Sequence, residues 1–134
     1  MMRRLLILAI VLLLSVAALA ATNTLKFNCQ YPNYVDKEGT HRVKGDFRLT
    51  FILDLDTGTA YMLSKTGSTQ VHASPSEQGV TFTEFTPSGH VRTRTVVYYS
   101  GPSAHQRYTL IAGKWVTTQY YGTCQRVVTG KAPD

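Results

Sequence analysis

Cysteine is nearly absent from this chain: Cys29 and Cys124 are the only two in 134 residues. Neither sits in a C-x-x-C pair or in metal-ligand spacing, so dithiol redox chemistry and a zinc centre have no footing. The four histidines are scattered, and no serine occupies a G-x-S-x-G elbow. Asp54 and Asp56 lie at a turn, where acids commonly shape the turn itself, and no third oxygen-rich segment joins them to hold calcium. Beyond the N-terminus no amphipathic 3.6-residue period appears, which excludes a βαβ unit and a nucleotide-binding fold. No aromatic-basic motif of a nucleic-acid module is present either. The expectation is a protein without catalysis, metal, cofactor or nucleic-acid partner.

A long apolar run occurs only at the start. Arg3 and Arg4 precede Leu5–Ala17, broken only by Ser15, and Ala18-Leu19-Ala20 matches the small-x-small cleavage pattern. Residues 1–20 therefore read as a secretory signal peptide, and the protein is expected to be periplasmic or secreted. The run is short for a span of roughly 20 residues, so no stable membrane span is expected after cleavage. Retention as an anchor is the alternative. Residues 21–134 suffice for a single domain. Without Arg3 and Arg4 the chain keeps 12 basic side chains against 8 acids, a mild excess of +4. In an oxidising compartment the two cysteines are expected to form one disulfide enclosing nearly the whole domain.

What the chain has in quantity is strand pattern. In Asp46–Leu63 the residues Phe47, Leu49, Phe51, Leu53 and Leu55 alternate with mostly polar neighbours, as in a strand buried on one face. Asp56-Thr57-Gly58 turns the chain, and Tyr61 and Leu63 are expected to face back across the hairpin. Thr24–Gln30, Thr69–Ser74, a strand around Val80 and Phe82, His90–Tyr99, Ala104–Ile111 and Lys114–Tyr121 supply further strands. Residues 31–45 read as a long loop, and 128–134 as a polar tail. Glycines at 45, 58, 67, 79, 89, 101, 113 and 122 punctuate the chain at hairpin cadence. The expected fold is all-β: a single eight-stranded antiparallel up-and-down barrel or barrel-like meander, closed by a Cys29–Cys124 disulfide. A two-sheet β-sandwich is the alternative.

Pairing Tyr99 with Ala104 divides the last strands into two faces. One carries Thr95, Gln106, Tyr108, Trp115 and Gln119; having Trp115 and no charge, it is the expected interior and candidate ligand-facing set. The other carries His90, Arg92, Arg94, His105 and Arg107, a candidate contact for an anionic surface. A one-residue slip exchanges the faces. Two readings follow: a binding module contacting a macromolecule, either an extracytoplasmic protein or an anionic envelope polymer, or a lipocalin-like carrier of a small ligand in the barrel.

Leu49–Met62 (LTFILDLDTGTAYM) and Ser103–Cys124 (SAHQRYTLIAGKWVTTQYYGTC) together resemble an uncharacterised family of small exported proteobacterial proteins. That family carries an L-x-F-x-x-D-x-x-T-G-x-A-x-M hairpin and a late segment ending Q-Y-Y-G-x-C. Here Lys114 to Thr118 depart from its usual Leu-Val-Pro-Ser. The resemblance implies export and an all-β fold and names no activity. The architecture is also similar to bacterial inhibitors of c-type lysozyme, small exported barrels with a terminal-to-terminal disulfide. Ser103–Tyr108 and Lys114-Trp115 keep only an outline of their Ser-Gly-x-x-Tyr and Trp-x-Lys-Gly motifs, so an inhibitor-like role is an alternative without transferable residues.

Overall fold

The computed structural model describes residues 23–128; the expected signal segment and residues 129–134 lie outside them. The strands are β1 (Thr24–Asp36), β2 (Gly39–Arg42), β3 (Arg48–Asp54), β4 (Ala60–Ser64), β5 (Gly67–Pro75), β6 (Gly79–Phe85), β7 (Val91–Tyr98), β8 (Pro102–Ile111) and β9 (Lys114–Val128). Each pairs antiparallel with its successor from β3 to β9, and β1 pairs with both β3 and β9. The sheet thereby closes into an eight-stranded barrel, with β2 as an extra strand on the upper half of β1. Closure, rather than a sandwich, removes the unpaired edges that an open meander would leave.

Alternation drives the interior. Leu49, Phe51 and Leu53 are buried, as are Leu25, Phe27, Cys29 and Tyr31 opposite them and Val80, Phe82 and Val97 across the barrel. Phe51 and Phe82 stack with centroids 4.6 Å apart, and Phe27 meets Phe82 edge-on at 6.3 Å. Each such side chain contributes about 1.5–3 kcal/mol by leaving water, so the aromatic plug is a principal source of stability. Polar groups on this face are mostly satisfied: the Tyr31 hydroxyl bonds Ser103 Oγ at 2.9 Å, and Ser103 Oγ donates to the Val96 carbonyl at 2.8 Å. Burial pushes the Tyr31 phenol well above its ordinary range, so it stays protonated.

Cys29 and Cys124 are directly opposed on β1 and β9 and form the expected disulfide at the seam. Just beyond Cys29 along β1, the seam bulges between Gln30 and Asn33. A Cβ at Gly122 would run into the Gln30 carbonyl oxygen, which gives the glycine of the Tyr120-Tyr121-Gly122 run a steric reason.

Three expectations are corrected. Residues 31–45 are not a long loop: β1 continues to Asp36, turns, and returns as β2. In the β3–β4 hairpin, Ala60 and Met62 face Leu53 and Phe51, whereas Tyr61 pairs with Ile52 and points outward. Leu55 lies beyond β3 and is exposed.

The largest correction concerns β7 and β8. Val97 pairs with Ser103, whereas Tyr99 opposite Ala104 would have put Gln106 there; the shift is three residues, an odd number. Every side chain of β8, and of β9 with it, therefore changes face.

Candidate functional site

With this register, Thr95 alone of the five expected interior residues points inward. Gln106, Tyr108, Trp115 and Gln119 are outside, on the same face as Arg92 and Arg94. Members of the two residue sets that looked like opposite sides of the sheet, Gln106, Tyr108, Trp115 and Gln119 from one and Arg94 from the other, thus share one surface. His105 moves the other way, to 1% exposure inside the barrel, and Arg107 rises on the inner side at the rim.

The outer face of β7–β9 is ordered by its own hydrogen bonds. Arg94 pairs in register with Gln106, and Gln106 with Gln119. Tyr108 OH donates to Gln106 Oε1 at 2.8 Å, Gln106 Nε2 to Gln119 Oε1 at 2.9 Å, and Gln119 Nε2 to Tyr121 OH at 2.6 Å. This ladder fixes four side chains flat on the sheet, lowering the entropy a partner would otherwise have to remove. Leu110 and Trp115 are paired further along, 56% and 54% exposed, and the Trp115 ring lies 5.9 Å from that of His90. Large apolar side chains left in water beside arginines are the composition of a contact surface rather than of an ordinary solvated strand.

Charge adds direction. No Asp or Glu occurs between Glu84 and Asp134, while Arg92, Arg94, Arg107, Lys114 and Arg126 all do. Glu84, at the end of β6, reaches Arg92 at a long 3.7 Å and also accepts from Thr93 Oγ1 at 3.2 Å. Arg94 has no ion-pair partner among the described residues. Of these, Arg94 projects outward, Arg92 reaches back to Glu84, and Arg107, Lys114 and Arg126 fall on the inner alternation, so the positive excess belongs to strands β7–β9 as a whole and not to their outer face alone.

The barrel mouth is a second feature. A crevice of about 240 Å³ lies among Met62, Ser64, Glu84, Thr93, His105 and Arg107, with Arg92 and Tyr108 reaching its edge. The Arg107 guanidinium sits over the Phe47 ring at 4.7 Å and the Tyr120 ring at 5.1 Å, a cation–π clamp that closes part of the opening. Below it, His105 Nδ1 bonds Thr95 Oγ1 at 2.6 Å, and Nε2 has no hydrogen-bond partner. The rings of Tyr31, Phe47 and Tyr120 surround the imidazole at 5.7–5.9 Å. Burial, with the Arg107 charge next in importance, pushes His105 down to about 3, so it is neutral at ordinary pH. Among the described residues no group of three His, Cys, Asp or Glu is placed to hold a metal ion.

Sequence reasoning overlooked three of these features. Glu84 falls on the same alternation as Val80 and Phe82, so a carboxylate on the core face was visible in the pattern. The acid-free run after Glu84 was visible too. The stacking of Arg107 on Phe47 and Tyr120 had no local signal, because it joins segments 60 and 13 residues apart.

No protein-family model matches the chain, and neither a curated protein nor a solved structure is significantly similar to it. The disulfide fits an oxidising, extracytoplasmic setting. Among the described residues no helix is long and apolar enough to cross a membrane.

Proposed function

We propose that the protein is an exported, non-catalytic binding module that engages an anionic macromolecular surface of the bacterial envelope through the outer face of β7–β9. The observation that carries this reading is the coincidence on one side of Arg94, Tyr108, Leu110 and Trp115, with Arg92 at its edge bridging to Glu84, within a sequence stretch free of acids. Cations supply attraction and encounter rate, and the fixed aromatic and amide ladder supplies contact area. The alternative of an interior carrier is less well supported. Phe27, Tyr31, Phe51 and Phe82 fill the centre, and the mouth crevice of about 240 Å³ is smaller than the roughly 300–1,000 Å³ of most small-molecule sites.

Binding to immobilised polyphosphate tests the reading. Affinity is expected to fall steeply between about 50 and 200 mM salt. At about 1 kcal/mol per surface cation, Arg92→Ala with Arg94→Ala is expected to weaken it roughly thirtyfold. Binding that ignores both salt and the double substitution would contradict the proposal.

A further inference from the structure

The end of the β8–β9 hairpin stands clear of the barrel. β7 accompanies β8 only as far as Arg107, and β1 accompanies β9 only as far as Gln119. Residues 108–117 are therefore paired only with one another. At about 3.4 Å per residue, the ribbon reaches on the order of 10 Å beyond its neighbours.

Its tip is apolar on both sides. Leu110 and Trp115 lie on one side and Ile111 on the other, all more than half exposed. Inside the barrel wall an inward Ile111 would serve the core, but at this height there is no core to serve. The turn between them is narrow and small: Ala112 and Gly113 both have positive φ, 49° and 77°, as a two-residue hairpin turn of the primed type requires. Ala112 is the only non-glycine described residue with positive φ, so this tight tip is held against a local backbone preference. Lys114 is paired with Ile111 at the tip itself, Arg107, Arg92 and Arg94 lie further back along the strands, and His90 is beside Trp115.

Resting on the reading above, we propose that this hairpin tip is a membrane-docking wedge, setting Leu110, Ile111 and Trp115 into the headgroup–acyl boundary of an anionic lipid bilayer. The arrangement matches the layers of such a surface in order. Ile111 leads, the indole lies level with Leu110 just behind it at the depth tryptophan favours, and the arginines follow where lipid phosphates lie. The Lys114 stem can lie along the apolar layer while its ammonium returns to the phosphates. Charge argues against a second copy as occupant. A two-fold contact would bring the same acid-free, cationic patch against itself.

Trp115 is the only tryptophan in the chain, so its fluorescence reports on the tip alone. The purified protein is mixed separately with phosphatidylglycerol-containing vesicles, pure phosphatidylcholine vesicles and soluble polyphosphate. The expected result is a blue shift, protection from acrylamide and cosedimentation with the anionic vesicles. Pure phosphatidylcholine is expected to bind at least tenfold more weakly. Leu110→Ser with Ile111→Ser, both at exposed positions, is expected to lower vesicle partition about a hundredfold while leaving polyphosphate binding and the melting temperature unchanged. Arg92→Ala with Arg94→Ala should weaken both. Polyphosphate binding without vesicle binding, vesicle binding indifferent to the serine pair, or self-association through the tip would each overturn the wedge and leave the anionic-surface reading standing. Absence of binding to vesicles and polyphosphate alike would overturn both.

Discussion

Replacing Cys29 and Cys124 together by alanine is expected to lower stability by about 4–5 kcal/mol. The bridge joins positions 95 residues apart, so it constrains most of the unfolded chain. A domain of this size has about 5–15 kcal/mol in all, and the loss would lower its melting temperature by about 20 °C or more. The native structure itself should persist at low temperature, because β1 and β9 still pair on both sides of the lost bridge. Urea unfolding of the two proteins under non-reducing conditions measures the difference. Equal midpoints would mean that the seam ladder alone closes the barrel and that the bridge adds nothing.

Acid is expected to destabilise the native protein through His105. The group titrates near 3 when folded and near 6.5 when unfolded. Above about pH 6.5 neither state carries the proton, and the native packing keeps its full stability. As pH falls below that value the unfolded chain takes up a proton that the buried imidazole refuses. Stability therefore declines down to about pH 3, by on the order of 4–5 kcal/mol in total. Asp36, whose carboxyl is held below its ordinary range by the Glu38 backbone N–H, acts in the same direction at the acid end of the window. Thr95→Val with His105→Phe removes the imidazole together with its hydroxyl partner and leaves neither side of the bond unpaired. Between pH 6.5 and 4 that variant is expected to hold nearly constant urea stability while the parent falls. Parallel slopes would show that His105 is not the group responsible.

Where one face was buried, the fold could be read directly. Leu49, Phe51 and Leu53 alternate because each meets the barrel centre, and the periodic glycines mark the reversals between strands. Residues 31–36 gave no such pattern. There β1 passes the bulge between Gln30 and Asn33 and runs on between β9 and β2, with Tyr31 its last fully buried residue, so alternation fades and Pro32, Asn33 and Gly39 read as loop. The β7–β8 register failed for another reason. Five residues, 98 to 102, separate the last paired positions Val97 and Ser103, and local composition does not determine how such a connection is routed. Gly101 takes a positive φ there and accepts the Cys124 N–H at 2.7 Å, a contact with a strand still to come in the chain.

The misplaced register also changed the character of the candidate site. Trp115 was expected inside because large aromatic side chains usually are, and Arg92 and Arg94 outside because charges usually are. The structure places Trp115 outside beside the face of Arg94, with Arg92 bridging to Glu84 at its edge, so an apparent polar lumen and part of a basic stripe share one surface. His105, expected in that stripe, instead became a buried neutral group whose cost is felt in acid.

Trp115 offers the most direct check on this arrangement of faces, because its emission has no other source in the chain. In the native protein without any ligand, the emission is expected to lie close to that of the urea-unfolded chain and to be quenched by acrylamide almost as freely. A blue-shifted emission shielded from acrylamide would put the indole inside the barrel, restore the opposite register of β8 and β9, and remove the surface on which the functional account stands.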